Sequence, residues 1–111
     1  MAAYNLKRMT NPTQLSTSAA SVYTVGAGIT AVVKQVLATN TTASASTVSV
    51  HLVPTSGTAT TSNLLFAAVP VPPNSTLVID LATVMNAGDS LQAFAGNATT
   101  INLTVSGYEA S

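Results

Sequence analysis

Of the chain's 111 residues only six are formally charged, Lys7, Arg8, Lys34, Asp80, Asp89 and Glu109, against about a quarter in an ordinary soluble domain. The net charge is zero and cysteine is absent, which excludes disulfides and thiolate metal sites and leaves too few cations for the multi-phosphate contact of a nucleic-acid binder. Ser and Thr supply 30 residues and Ala 18, so what faces water is hydroxyl, methyl and amide. Such a surface costs little to desolvate when a partner covers it and has no net charge to hold copies apart.

Residues 1–20 come first and stand apart. They hold Tyr4, Leu6, Lys7, Arg8, Met9, Pro12 and Leu15, then a Ser/Thr/Ala stretch, with no sustained period of two or of 3.6. They read as an extended arm that is either disordered or ordered by lying on something else. Tyr4, Leu6 and Met9 are candidates to enter grooves on a partner, with Lys7 and Arg8 meeting acidic groups there. The arm lacks an apolar segment after its cations, so it does not read as a signal peptide.

From residue 21 onward the pattern is that of strands. Short candidates are 21–25, 64–69 and 90–95. In 47–53, Val48, Val50 and Leu52 alternate with Ser49 and His51; in 76–81, Leu77, Ile79 and Leu81 alternate with Thr76, Val78 and Asp80; in 101–106, Ile101, Leu103 and Val105 alternate with Asn102, Thr104 and Ser106. Each puts three aliphatics on one face. Residues 31–39 are less regular, since Val32, Val36 and Ala38 share a parity with Lys34 while Val33 and Leu37 share one with Gln35, which suggests cover on both faces. Clusters of Gly, Pro, Asn, Ser and Thr separate these runs. One helical turn is expected over 82–87, closed by Gly88. The longest apolar run, 64–73, is interrupted by Pro70, Pro72 and Pro73 and is too short for a helical membrane span. The expectation is an all-β chain: a single antiparallel β-sandwich or jelly roll of seven or eight short strands over 21–111, with the arm before it.

The chemically capable residues each have a structural reading that outweighs a catalytic one. His51, the lone imidazole, has neither nucleophile nor carboxylate near it in sequence. Asp80 falls within a strand, and Asp89 follows Asn86-Ala87-Gly88 in a turn where Asp bonds its own backbone. Gly26-Ala27-Gly28 lacks the further Gly and the Lys-Ser/Thr of a phosphate loop. Four Asn-x-Ser/Thr triplets, at Asn40, Asn74, Asn97 and Asn102, are expected by chance in so Thr-rich a chain, and glycosylation is not expected. No catalytic, cofactor or metal residues are therefore assigned, and no enzyme activity is expected.

The run SAASVYTVGAGITAVVKQVLATNTTASASTVSVHLVP, followed by LLFAAVPVPPNSTLVIDL and AGDSLQAFAGNATTINLTVSGYE, resembles a group of small β-sandwich structural proteins of tailed bacteriophage virions. The resemblance leaves the residues before Ser16 uncovered. It implies a virion component assembled in the host bacterial cytoplasm: a capsid decoration or cement protein, or a neck or tail surface protein, with a major capsid or tail protein as partner. A self-associated state is also expected, with a trimer favoured. The alternative is a carbohydrate- or receptor-binding sandwich of the phage particle, for which the chain offers three Tyr and no Trp. Neither nucleic acid nor a membrane is an expected partner.

Overall fold

The computed structural model describes residues 4–110, with the backbone alone at Tyr4 and Asn11. Eight strands follow one another: β1 (Tyr4–Gln14), β2 (Ala20–Thr24), β3 (Thr30–Asn40), β4 (Ser46–Val53), β5 (Leu64–Val71), β6 (Thr76–Met85), β7 (Ser90–Ala95) and β8 (Ile101–Ala110), with a single 3-10 turn, Thr61–Asn63, before β5. They form two antiparallel four-stranded sheets, sheet A in the order β1-β8-β3-β6 and sheet B in the order β2-β7-β4-β5. Successive strands mostly alternate between the sheets, and the fold is an eight-stranded jelly roll.

The core lies between the sheets and is thin and aliphatic. Val48, Val50, Ile101, Leu103 and Val105 are fully buried, as the alternation predicts, together with Val33, Val36, Met85 and Leu91. Leu52, Leu77, Ile79 and Leu81 pack against this core but are only half-buried. For the last three the cause is position: β6 is an edge strand with β3 as its one hydrogen-bonded neighbour, so their open flank has nothing beside it.

Residues 4–14 are not an arm apart from the sandwich. They form edge strand β1, paired antiparallel with β8 from Tyr4↔Ala110 to Gln14↔Asn102. Period two is hidden because the register slips between Arg8 and Thr10 and again before Thr13. At the first slip Met9 and Thr10 both turn inward and are buried, the signature of a β-bulge. Thr10 Oγ1 donates to the Val22 carbonyl oxygen of β2 at 2.9 Å, which ties this edge of sheet A to sheet B. Residues 1–3 of the expected arm, and the side chain of Tyr4, lie outside the described residues.

A matching bulge accounts for the irregular 31–39 segment. Ala31 and Val33 face the core, Lys34 is an extra residue relative to β8, and Val36, Ala38 and Asn40 then face the core. The parity of the strand flips at Lys34. The bulges of β1 and β3 flank β8 over Val105–Gly107, where the chains approach so closely that a Cβ on Gly107 would stand 2.0 Å from the Val32 carbonyl oxygen and 3.0 Å from Met9 Cε. The helical turn expected over 82–87 does not form. β6 continues through Met85, since Val84 and Met85 pair with Val32 and Ala31 of β3. A tight turn follows, in which Asp89 Oδ2 accepts from the Asn86 amide at 2.9 Å and Gly88 takes φ +87°.

Candidate docking face on sheet A

The two outer faces differ. On sheet B, Ser49 and His51 point away from the core yet are buried, Ser49 beside the irregular part of neighbouring strand β5 and His51 beside Asn63 of the 3-10 turn. His51, on the polar face of its strand, bonds through Nδ1 to Asn63 Oδ1 at 2.8 Å and lies against Phe94 at a ring-centroid distance of 5.8 Å. Ser49 Oγ accepts from the Ala68 amide at 2.9 Å. These are satisfied structural groups. Asp89 also receives the Thr55 amide at 3.2 Å, pinning the β4–β5 loop. Asn40 is buried and spends its side chain on Ser44, Val71 and Thr42, which makes its triplet a loop anchor.

Sheet A leaves its outer face open, and strand register sorts that face into rows. Leu6 pairs with Tyr108, Tyr108 with Val32 and Val32 with Val84, an apolar row that crosses all four strands. The next row is polar: Arg8, Ser106, Gln35, Asp80. Then come Thr104, Leu37 and Val78, and beyond them Gln14, Asn102, Thr39 and Thr76. Each full row spans about 14 Å at ordinary strand spacing. Every exposed large hydrophobic among the described residues stands here: Leu6 at 79% exposure, Val84 at 56%, Val78 at 53% and Tyr108 at 37%. The face is dished at the bulges into a shallow depression of about 530 Å³, lined by Leu6, Arg8, Lys34, Gln35, Asp80 and Tyr108 among others. Asp80 is held by Gln35 Nε2 at 3.3 Å, while Arg8 and Lys34 make no ion pair among the described residues. The face thus presents apolar area next to two unneutralised cations, chemistry suited to an apolar surface edged with carboxylates.

Of the residues assigned to docking from sequence, Leu6 and Arg8 lie on this face. Lys7 points the other way: its Nζ is 3.2 Å from Glu109 Oε2, and Glu109 in turn accepts the phenolic hydrogen of Tyr23 in β2. The two contacts hold Glu109 below the usual carboxylate range, the Tyr23 hydrogen bond first and Lys7 second, against an opposing effect of burial. Burial, followed by the Glu109 contact, pushes Tyr23 well above an ordinary phenol. Met9 is unavailable to a partner because the bulge turns it into the core. Sequence reasoning missed Lys34, Gln35, Val78, Val84 and Tyr108 as members of the face, since cross-strand register brings them together over separations that no motif spans. No group of three or more potential metal ligands occurs among the described residues, and no helix is long and apolar enough to cross a membrane.

Comparison with known proteins bears on the fold. No family model and no curated protein sequence matches the chain. Among solved structures it is similar to a chain in the structure of infectious bursal disease virus, Gx strain, with a TM-score of 0.57 and 9% identity. The match covers 99% of this chain and 31% of that one. The chain therefore spans about a third of the length of that neighbour, and the likeness is one of fold.

Proposed function

We propose that the protein is a non-enzymatic structural component of a bacteriophage virion, a decoration or cement protein of the capsid, which docks on a major capsid or tail protein through the outer face of sheet A. The observation that carries this reading is the concentration of exposed apolar side chains on that face beside the unpaired Arg8 and Lys34. The jelly roll, shared in outline with a chain of a virus structure, and the resemblance of residues 16–111 to phage virion proteins support it. Fold alone does not decide function, and jelly rolls also serve as lectins. A second reading, a glycan- or receptor-binding module, is favoured by Tyr108 standing in the depression beside Arg8, Gln35 and Asp80.

The test is to add purified protein to particles lacking it and to measure occupancy by co-sedimentation and imaging. Wild type should bind, and a Leu6→Asp/Arg8→Glu/Lys34→Glu variant that melts normally should not. Full occupancy by the variant would move docking to another surface, and failure of the wild type to bind would remove the virion reading. Glycan-array binding abolished by Tyr108→Ala would establish the second reading instead.

A further inference from the structure

The irregular points of sheet A fall at one level. β1 slips between Arg8 and Thr10, and β3 slips between Val33 and Gln35 against both of its neighbours. On β6 the slip lies between Asp80 and Thr83, where Leu81 and Ala82 stand opposite Lys34 alone. Bulges re-aim side chains and recur beside functional sites. Here the β3 bulge turns Lys34 and Gln35 to the same outer face, since Val33 and Val36 on either side of them are buried. Three of the six formal charges, Arg8, Lys34 and Asp80, thereby gather in the one depression of about 530 Å³, a volume ordinary for a small-ligand site. In a chain that is 5% charged, such a meeting is not ordinary surface solvation. The groups also have bonding capacity to spare. Arg8, Lys34, Ser106 and Tyr108 make no side-chain hydrogen bond or ion pair among the described residues. Asp80 takes the Gln35 amide at 3.3 Å, which leaves acceptor positions on its carboxylate.

We propose that this depression is a binding site for an acidic saccharide. Its carboxylate lies between Arg8 and Lys34 over the Ser106 hydroxyl, its ring hydroxyls meet Asp80 and Gln35, and its C–H face lies on the Tyr108 ring. The inference rests on the glycan-binding reading given above and names the ligand class and the residues for it. The mixture of groups decides the class. Arg8 and Lys34 flank β8 at Ser106, their Cα atoms about 10 Å apart at ordinary strand spacing. Two long side chains close such a gap on one anion, and a planar carboxylate suits the guanidinium fork. Asp80 in the same depression repels a purely anionic ligand, such as a phosphate or a run of acidic side chains, and calls for a donor instead. A sugar acid carries a carboxylate, hydroxyl donors and an apolar face on one ring. An extended peptide places successive side chains of one face about 7 Å apart, so it meets these groups more sparsely.

The test is titration of the full chain, followed by amide NMR shifts, with trigalacturonate and with sialyllactose, against the methyl ester of each and against tetraglutamate. At least one of the two acids should bind at least about tenfold more tightly than its ester, with an affinity that falls as salt rises. Arg8→Gln and Lys34→Gln, each checked by thermal melting, should weaken that binding about tenfold and reduce its salt dependence. Tyr108→Phe should preserve binding and Tyr108→Ala should lose it. If the esters bind as well as the acids, or if binding persists in both cation variants, the glycan reading survives and this site falls. If neither acid binds at millimolar concentration the site falls as well, and the glycan array decides whether the broader reading falls with it. Tetraglutamate bound as tightly as the acids would also overturn the proposal, in favour of a protein segment.

Discussion

Tyr23 of sheet B donates its phenolic hydrogen to Glu109 of sheet A, and Lys7 meets the same carboxylate from the neighbouring strand. Half of the six formal charges are accounted for by this cluster and by Asp89 in its turn, so its protonation should be visible in stability. Glu109 has a depressed folded pKa, so its contribution is present above the unfolded-state value and is lost as pH falls through the folded one. The melting temperature should therefore decline from about pH 5 downward, and Glu109→Gln should flatten that decline while lowering the plateau at neutral pH. Tyr23, with a raised folded pKa, should add a loss above about pH 10 that Tyr23→Phe removes. Melting curves across pH check both arms.

Gly107 should not tolerate a methyl group. A Cβ there would press on the Val32 carbonyl oxygen and on Met9 Cε, between two bulged strands. Backbone cannot yield as a flexible side-chain end does, so Gly107→Ala should cost about 4 kcal/mol or more, or prevent folding. Gly28, with open space where its Cβ would be, serves as the control: Gly28→Ala should cost only the strain of its φ of +74°, about 1 kcal/mol. Denaturant titration separates the two.

Leu103→Ala and Leu77→Ala remove the same atoms from unequal surroundings. Leu103 is fully buried and Leu77 half-buried on the open flank. The first should cost about 2–5 kcal/mol and the second distinctly less.

Deletion of residues 1–14 tests whether the N-terminal segment is leader or fold. It would strip β1 from β8, remove buried Met9 and Thr10 and expose the β8 edge. The melting temperature should fall by well over 5 °C, the scale on which about 1 kcal/mol registers in a domain of this size. A melt unchanged from the full chain would show that β1 contributes nothing to the free protein.

How much of this was legible in the sequence depended on whether a strand keeps strict alternation. β8 does, and Ile101, Leu103 and Val105 were read correctly to the residue. β3 and β1 do not, because an extra residue at Lys34 and at Met9 flips the parity mid-strand. A period-two reading then sees a two-sided strand in one case and no strand in the other. The Pro/Ser/Thr/Gly cluster at 54–61 reads as a strand connection, and only the fold shows that Asn63, just after it, engages His51. Only two members of the docking face were within reach, Leu6 and Arg8, which stand out as an apolar and a cationic residue in a neutral chain. Tyr108, Gln35 and Val84 join them through hydrogen-bonded register across three other strands, information that a linear pattern does not hold.

The pairing of Tyr4 with Ala110 has a practical consequence. Both ends of the described chain leave the sandwich at the same corner, on the β1–β8 side of sheet A, with β3 separating β8 from β6. A short linker could therefore join them and new ends be opened in the exposed residues 55–60, giving a circular permutant with all eight strands retained. For the same reason, cargo genetically fused at either end would project from one common corner, so the protein offers itself as a display scaffold in which N-terminal and C-terminal fusions are geometrically equivalent.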